Sequence, residues 1–495
     1  MLIGAVCALV ALTALRLLVA ALTPLSPDEA YYWVWSHHLQ TGYLDHPAMV
    51  ALWIQLTTTL AGSSALGIRL SAPLSAAAGS IALAIAGRDL ATSLGVERPA
   101  RAGLWAALGL NATLALGAGS VLITPDTPLL FFCTLALAAC GRVLVTDDPR
   151  WWLAIGLCLG LGLDSKYTTL LTALGLAVWL LATAPGRRWL RTPWPFAGAA
   201  VALAAFAPTL LWNARHGWAS FHKQGGRTGA WHPTLRYLGE LVGGQIGLAT
   251  PLIALVWVLG CMWLWRRRRP AGAAAAATMP PHAAAATILL CVIALPTAVF
   301  VQHAIGDRVQ ANWPVLVYPA LAIAGGLWCV TRPARWSWLP AVSLACAVPI
   351  VAAVWLQATI APFRLPPKQD VTLARLAGWP ALASEIDRLA PEGLPIAADE
   401  YGLASELAWH LPQRIVLGAE ARWALFDLPE VDRQEVVLVR RLRANDPPDP
   451  ALWGQAVPIA GVERCRNAET CADRYVLYRA IPADPPLPLA VLPSR

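Results

Sequence analysis

Apolar runs of roughly 18–25 residues recur from the start of the chain to about residue 357, each long enough to cross a hydrocarbon core of about 30 Å. Backbone polar groups in that layer must be satisfied within the segment, so such runs can only be helices. We read about eleven: 2–22, 64–87, 101–119, 127–146, 151–164, 166–184, 194–212, 239–265, 283–303, 312–330 and 336–357. The fifth is short, and 47–62 reads as either a partial span or a buried interfacial helix, giving a range of 11–13. Residues 2–22 lack a basic leader and a strong cleavage signal, so a retained first span is expected.

The net charge of +8 takes a topological meaning in such a chain. The arginines sit at the ends of apolar runs rather than in one patch, which excludes a nucleic-acid partner. Alternate connections hold Arg88, Arg98 and Arg101, then Arg142 and Arg150, Arg187, Arg188 and Arg191, Arg266 to Arg269, and Arg332 with Arg335. The loop 23–48 has no Lys or Arg. The positive-inside rule puts the arginine set in the cytoplasm and, with an odd number of spans, the C-terminus outside an inner membrane. The alanine-rich stretch 271–286 reads as a cytoplasmic linker.

Beyond residue 360 the pattern changes. Pro362, Pro366 and Pro367 mark a linker and charges become frequent. Ile396–Ala398 and Glu435–Val439 read as strands, Ala381–Leu389 and Ala404–His410 as helices. The expected organisation is a transmembrane domain over 1–358, with a first outer loop at 23–63, and a small extracytoplasmic α/β domain over 359–495. Eight of ten cysteines fall in apolar runs; Cys465 and Cys471 fall in the polar part, where an oxidising compartment would permit a bridge and the sequence leaves the pairing open.

The first outer loop carries Ser26-Pro27-Asp28-Glu29, then aromatics, then Asp45-His46-Pro47. One reading is a helix start, with Ser26 as N-cap, Pro27 at the first turn and Glu29 closing a capping box. Capping leaves three features over: the unit Asp45-His46, a similar helix start at Thr124-Pro125-Asp126, and the lack of any local cation to neutralise the acids. Acids gathered at one membrane face suit a site that handles a proton or a metal. No histidine spacing matches a zinc site, so a divalent metal is compatible with the sequence but not required by it.

Cations from other outer loops supply the complement. Residues 213–238 hold Arg215, His216, His222, Lys223, Arg227, His232 and Arg236; elsewhere lie Arg69, Lys166, His303 and Arg308. Lys166, Arg69, Arg215, Lys223 and Arg308 are candidates to hold a phosphate at the bilayer surface. Arg227 and Arg236 also fit plain interfacial snorkelling, and Lys166 an ion pair with Asp164.

These residues resemble a known family. Asp28-Glu29-Ala30-Tyr31-Tyr32-Trp33 with Tyr43-Leu44-Asp45-His46-Pro47 is similar to the first outer loop of bacterial glycosyltransferases related to protein O-mannosyltransferases and to the aminoarabinose transferase of lipid A (glycosyltransferase family 39-like). Thr124-Pro125-Asp126, Ser165-Lys166-Tyr167, Ala311-Asn312-Trp313-Pro314 and Asp399-Glu400-Tyr401 match recurring segments in the same order. The resemblance implies a GT-C fold, all-α and polytopic with about 11–13 helices, whose partners are membrane lipids, a polyprenyl-phosphate sugar donor and an extracytoplasmic acceptor. It implies Asp28 as catalytic carboxylate with Glu29 beside it; the gathering of acids at the outer face adds Asp45, His46 and Asp126 as further catalytic candidates. A base for the acceptor and a cradle for the departing phosphate are what inverting transfer requires. The acceptor is left open among lipid A, another glycolipid, a polysaccharide and a protein. Two other readings compete: a transporter or flippase of lipid-linked sugars, and a non-catalytic membrane scaffold.

Overall fold

The computed structural model describes residues 2–226, 233–268, 281–431, 434–443, 446–484 and 489–495. Arg227, His232, Arg269 and the linker stretch 271–280 lie outside the described residues.

The helical part begins with α1 (Leu2–Leu22), α2 (Pro27–His37), α3 (Met49–Ala61), α4 (Ala65–Arg69) and α5 (Ser71–Ser93). It continues with α6 (Pro99–Asn111), α7 (Leu114–Gly119), α8 (Asp126–Thr146), α9 (Trp151–Leu163), α10 (Thr169–Ala182) and α11 (Ala184–Leu190). Next come α12 (Trp194–Arg215), α13 (Ala219–Gly226), α14 (Arg236–Ala249), α15 (Pro251–Arg267), α16 (Pro281–Gly306), α17 (Tyr318–Thr331) and α18 (Leu339–Thr359).

Among the described residues, seven helices are long and apolar enough to span, or nine if each of two bent pairs counts as one. The higher expected count included shorter apolar helices. With 13 residues each, α3 and α9 reach only about 20 Å. The run 101–119 divides where Thr113 caps α7. The run 239–265 turns by 102° at Thr250, whose φ of 69° breaks the helix before Pro251 starts α15. A residue before proline is driven out of the helical region, so the break is written locally. Likewise α10 and α11 meet at 98°, with Thr183 capping Gly186 ahead of the new helix.

Two compact units emerge. The first comprises Met1–Arg16, Asp45–Val50 and Ala72–Ala353. Its helices approach through small residues: a Cβ on Gly156 would collide with the backbone of Gly198, which brings α9 and α12 into close contact.

The second unit comprises Leu17–Leu44, Ala51–Ser71 and Val354–Arg495. Segments 17–44 and 51–71 thus cluster with the C-terminal residues, an association that a division at residue 358 does not anticipate. The C-terminal part adds α19 (Val371–Arg375), α20 (Trp379–Leu389) and α21 (Tyr401–His410), with strands β1 (Ile396–Ala398), β2 (Val416–Gly418), β3 (Glu430–Val431), β4 (Val436–Arg441), β5 (Trp453–Asn467), β6 (Thr470–Pro482) and β7 (Leu489–Val491). They form one mixed sheet in the order β3-β7-β2-β1-β4-β6-β5, with β1 parallel to both β2 and β4. The parallel β1–β2 pair needs a crossover, and α21 provides it. Cys465 and Cys471 are bonded across the β5–β6 hairpin, where they face each other in register.

The crossover helix packs on α2. A Cβ on Gly402 would lie 2.7 Å from the Pro27 Cβ, so only glycine admits this approach. Trp33 meets Trp409 edge to face at 5.0 Å, and Tyr31 lies 4.5 Å from Tyr401 between ring centres. Eight consecutive residues of α2, Glu29 to Ser36, are buried. A short helix buried on every side is held by its neighbours rather than by amphipathicity.

Candidate active site

The N-terminus of α2 sets the two adjacent acids on different tasks. Ser26 is the N-cap: its Oγ accepts from the Glu29 amide at 3.4 Å, and its own amide donates to Glu29 Oε2 at 3.1 Å. The capping box is therefore present, with Pro27 inside the first turn. Glu29 also forms a two-pronged pair with Arg69, Nε to Oε1 at 2.6 Å and Nη2 to Oε2 at 2.7 Å. Both side chains are fully buried.

That pair bears on the expectations for both residues. The remaining Arg69 protons go to the carbonyls of Ala20, Thr23 and Pro24. All five guanidinium donors are then in use, leaving none for a phosphate. Glu29 is enclosed and bonded to Ser26 and Arg69.

Asp28 is different. It is half-buried, accepts a hydrogen bond from the Tyr401 hydroxyl at 2.9 Å on Oδ1, and makes no ion pair among the described residues. The Tyr401 ring is itself held between Tyr31 and Arg422, whose guanidinium lies 4.1 Å from the ring centre. Tyr401 belongs to the Asp399-Glu400-Tyr401 segment, where nothing local marks it as a partner of Asp28.

Behind this helix pair sits another carboxylate. Glu406 on α21 is 1% exposed, neither oxygen has a hydrogen-bond partner among the described residues, and His410 Nε2 lies 3.5 Å away. Burial, helped by the nearby charge of Glu29, pushes its carboxyl up to about 7 against the opposing pull of His410.

The other candidates belong to the first unit. Asp45 pairs with Lys223 at 2.5 Å, and its carbonyl accepts from the Gln224 side chain at 2.7 Å. Asp126, at the start of α8, receives Lys166 Nζ on Oδ1 and Asn312 Nδ2 on Oδ2, each at 2.7 Å. Lys166 is thus bonded to Asp126 and not to Asp164, which accepts instead from the Thr209 hydroxyl. Asn312 belongs to the Ala311-Asn312-Trp313-Pro314 segment, where nothing local marks it as a partner of Asp126. His46 is half-buried beside Asp45 in the chain. Arg308 is 71% exposed and leans on Glu240 at 2.9 Å, and Arg236 shares the same carboxylate. Arg215, at the end of α12, is exposed and makes no ion pair among the described residues.

The acids of the first outer loop therefore do not share one fate. Glu29 and Asp45 find cations far along the chain, which local sequence could not reveal, and Asp126 does the same. Asp28 alone of these four keeps a carboxylate that no cation neutralises among the described residues. For a metal, the donor set is poor: among the described residues, the one cluster with ligand-like spacing is Glu463, Cys465 and Cys471, whose sulfurs are joined in the disulfide.

This arrangement can be set beside known proteins. The structure of ArnT from Cupriavidus metallidurans bound to undecaprenyl phosphate matches with a TM-score of 0.63 over 96% of this chain and 98% of that one, at 18% identity. The chain has the GT-C glycosyltransferase fold. The apo form of the same ArnT matches the GT-C frame equally well, with a TM-score of 0.62, 17% identity and the same coverage of both chains. The family model of dolichyl-phosphate-mannose-protein mannosyltransferases matches residues 45–212, a stretch that holds Asp45, His46, Asp126 and Lys166. The lipid A galacturonosyltransferase RgtD of Rhizobium johnstonii is 28% identical over 396 residues, 78% of this chain and 77% of that protein. The resemblance read from the first outer loop thus extends over most of this GT-C chain.

Proposed function

We propose that this protein is an integral-membrane glycosyltransferase that moves a sugar from a polyprenyl-phosphate-linked donor to an extracytoplasmic acceptor. The observation that carries the mechanism is Asp28: a carboxylate on a buried helix start, oriented by Tyr401 and without an ion-pair partner among the described residues. Asp28 takes the proton from the acceptor hydroxyl or amine as that group attacks the anomeric carbon. The bond from sugar to phosphate breaks in the same step, the phosphate leaves with the electron pair, and the anomeric centre inverts.

The name of the lipid A galacturonosyltransferase supports lipid A as the first acceptor to test, and the undecaprenyl phosphate in the ArnT structure supports that carrier for the donor. We place the protein in a bacterial inner membrane with its C-terminal domain outside, on the distribution of arginines along the chain.

The test is sugar transfer in proteoliposomes, with undecaprenyl-phosphate sugars as donors and a lipid A-containing extract as acceptor. Wild type should transfer, and Asp28→Asn should lose about 100-fold or more of the turnover expected from a positioned base. Near-normal transfer by a folded Asp28→Asn protein would sink the assignment. Movement of labelled carrier across the bilayer without transfer would restore the flippase reading.

A further inference from the structure

A buried charge on α1 has no role in the proposed transfer. Arg16 is the only charged residue of α1 and is fully buried. None of its three side-chain nitrogens, Nε, Nη1 or Nη2, has a hydrogen-bond partner among the described residues.

The fold knows how to satisfy a buried arginine. Arg69, equally buried, spends its five donors on Glu29 and three carbonyls. Arg464, 1% exposed, is bonded through both terminal nitrogens to the carbonyls of Leu373, Ala374 and Ala377 and to Asp473, with only its Nε lacking a partner among the described residues. Arg16 has nothing of the kind, and a guanidinium does not discharge itself by giving up its proton. A buried, uncompensated cation in an apolar helix is costly, and residues of this kind mark ligand or ion sites.

Position narrows the ligand. Arg16 lies six residues before the end of α1 at Leu22, roughly 9 Å along the axis. It shares the inward stripe with Val19 and Ala20, whereas Leu15, Leu18 and Leu22 are exposed. The α1 span is the least enclosed of the seven long apolar helices, 17% buried against 22–83% for the others. Access to its neighbourhood therefore runs through lipid, and a ligand must carry its anion on an apolar body. The planar fork of a guanidinium matches a phosphate through two parallel hydrogen bonds.

We propose that Arg16 is an anion-binding residue that takes the phosphate of a lipid ligand. The proposal draws on the proposed function only for the class of lipid carrier, and does not depend on Asp28.

The experiment is ligand binding to the purified full-length protein in detergent micelles, read by native mass spectrometry. The probes are undecaprenyl phosphate, undecaprenol, phosphatidylglycerol and inorganic phosphate. Wild type should prefer undecaprenyl phosphate to undecaprenol, and Arg16→Met should lose roughly 10- to 100-fold of that preference. Arg16→Met removes an unpaired buried charge, so it should fold at least as well as wild type, and Arg16→Lys should keep part of the preference. Phosphatidylglycerol binding with the same dependence on Arg16 would support the proposal and identify the ligand as bulk anionic lipid. An Arg16→Met protein with the full preference for the phosphate would overturn it. Binding of inorganic phosphate as tight as that of the lipids would overturn the lipid part. Asp28→Asn should retain the preference while losing transfer, which separates failure here from failure of the catalytic assignment.

Discussion

The hydroxyl of Tyr401 lies 2.9 Å from Oδ1 of Asp28, joining residues 373 positions apart in sequence. It fixes one oxygen of the proposed base, and the other has no hydrogen-bond partner among the described residues, so Tyr401 is a positioning residue. Tyr401→Phe keeps the ring between Tyr31 and Arg422 and removes the hydroxyl that donates to Asp28. We expect turnover to drop by roughly 10- to 100-fold, the value of one hydrogen bond to a charged group, with little change in KM or melting temperature. Tyr401→Ala should also lower the melting temperature, because the ring contacts go. A Tyr401→Phe enzyme with unchanged kcat would remove the positioning role.

Glu29 and Arg69 are bound to one another inside the second unit, and their effect should appear in stability. Breaking a buried ion pair by removing one partner costs about 3–5 kcal/mol, since the other charge is stranded. Arg69→Met and Glu29→Gln should each lower the melting temperature sharply. The double variant should recover much of the loss, because no lone charge remains. If Arg69 instead held the donor phosphate, Arg69→Met would raise the donor KM without changing the melting temperature.

How much of this was legible depended on whether the cause was local. Ser26, Pro27 and Glu29 lie within four residues, and the capping box they spell is present as read. The strand at Ile396–Ala398 and the helix ending at His410 were likewise written in short patterns of burial. The breaks at Thr113 and Thr250 carried cap and proline signals, but hydropathy averaged across them and counted unbroken spans. What stayed hidden were partners at long range. Arg69 reaches Glu29 across 40 positions, Lys166 reaches Asp126 across 40, and Lys223 reaches Asp45 from a far loop. From the loop alone all the acids looked equally uncompensated, and only tertiary pairing separates Asp28 from the rest.

Glu406 gives the second unit a dependence on pH whose sign can be worked out. Its carboxyl is raised by burial from an ordinary value near 4.5 to about 7. Between those values the folded chain holds a proton on Glu406 that the unfolded chain has released, so stability falls as pH rises through that window. The groups facing it pull in opposite directions. His410 at 3.5 Å and Arg464 favour the charged form, and Glu29 disfavours it. Glu406→Gln removes the titrating proton and keeps the shape, so its melting temperature should exceed that of wild type above pH 7 and approach it near pH 4.5. Thermal unfolding followed from pH 4.5 to 8 would show the two curves separating as pH rises. Parallel curves would mean that Glu406 keeps its charge in the fold, held by His410 as an ion pair rather than as a buried acid.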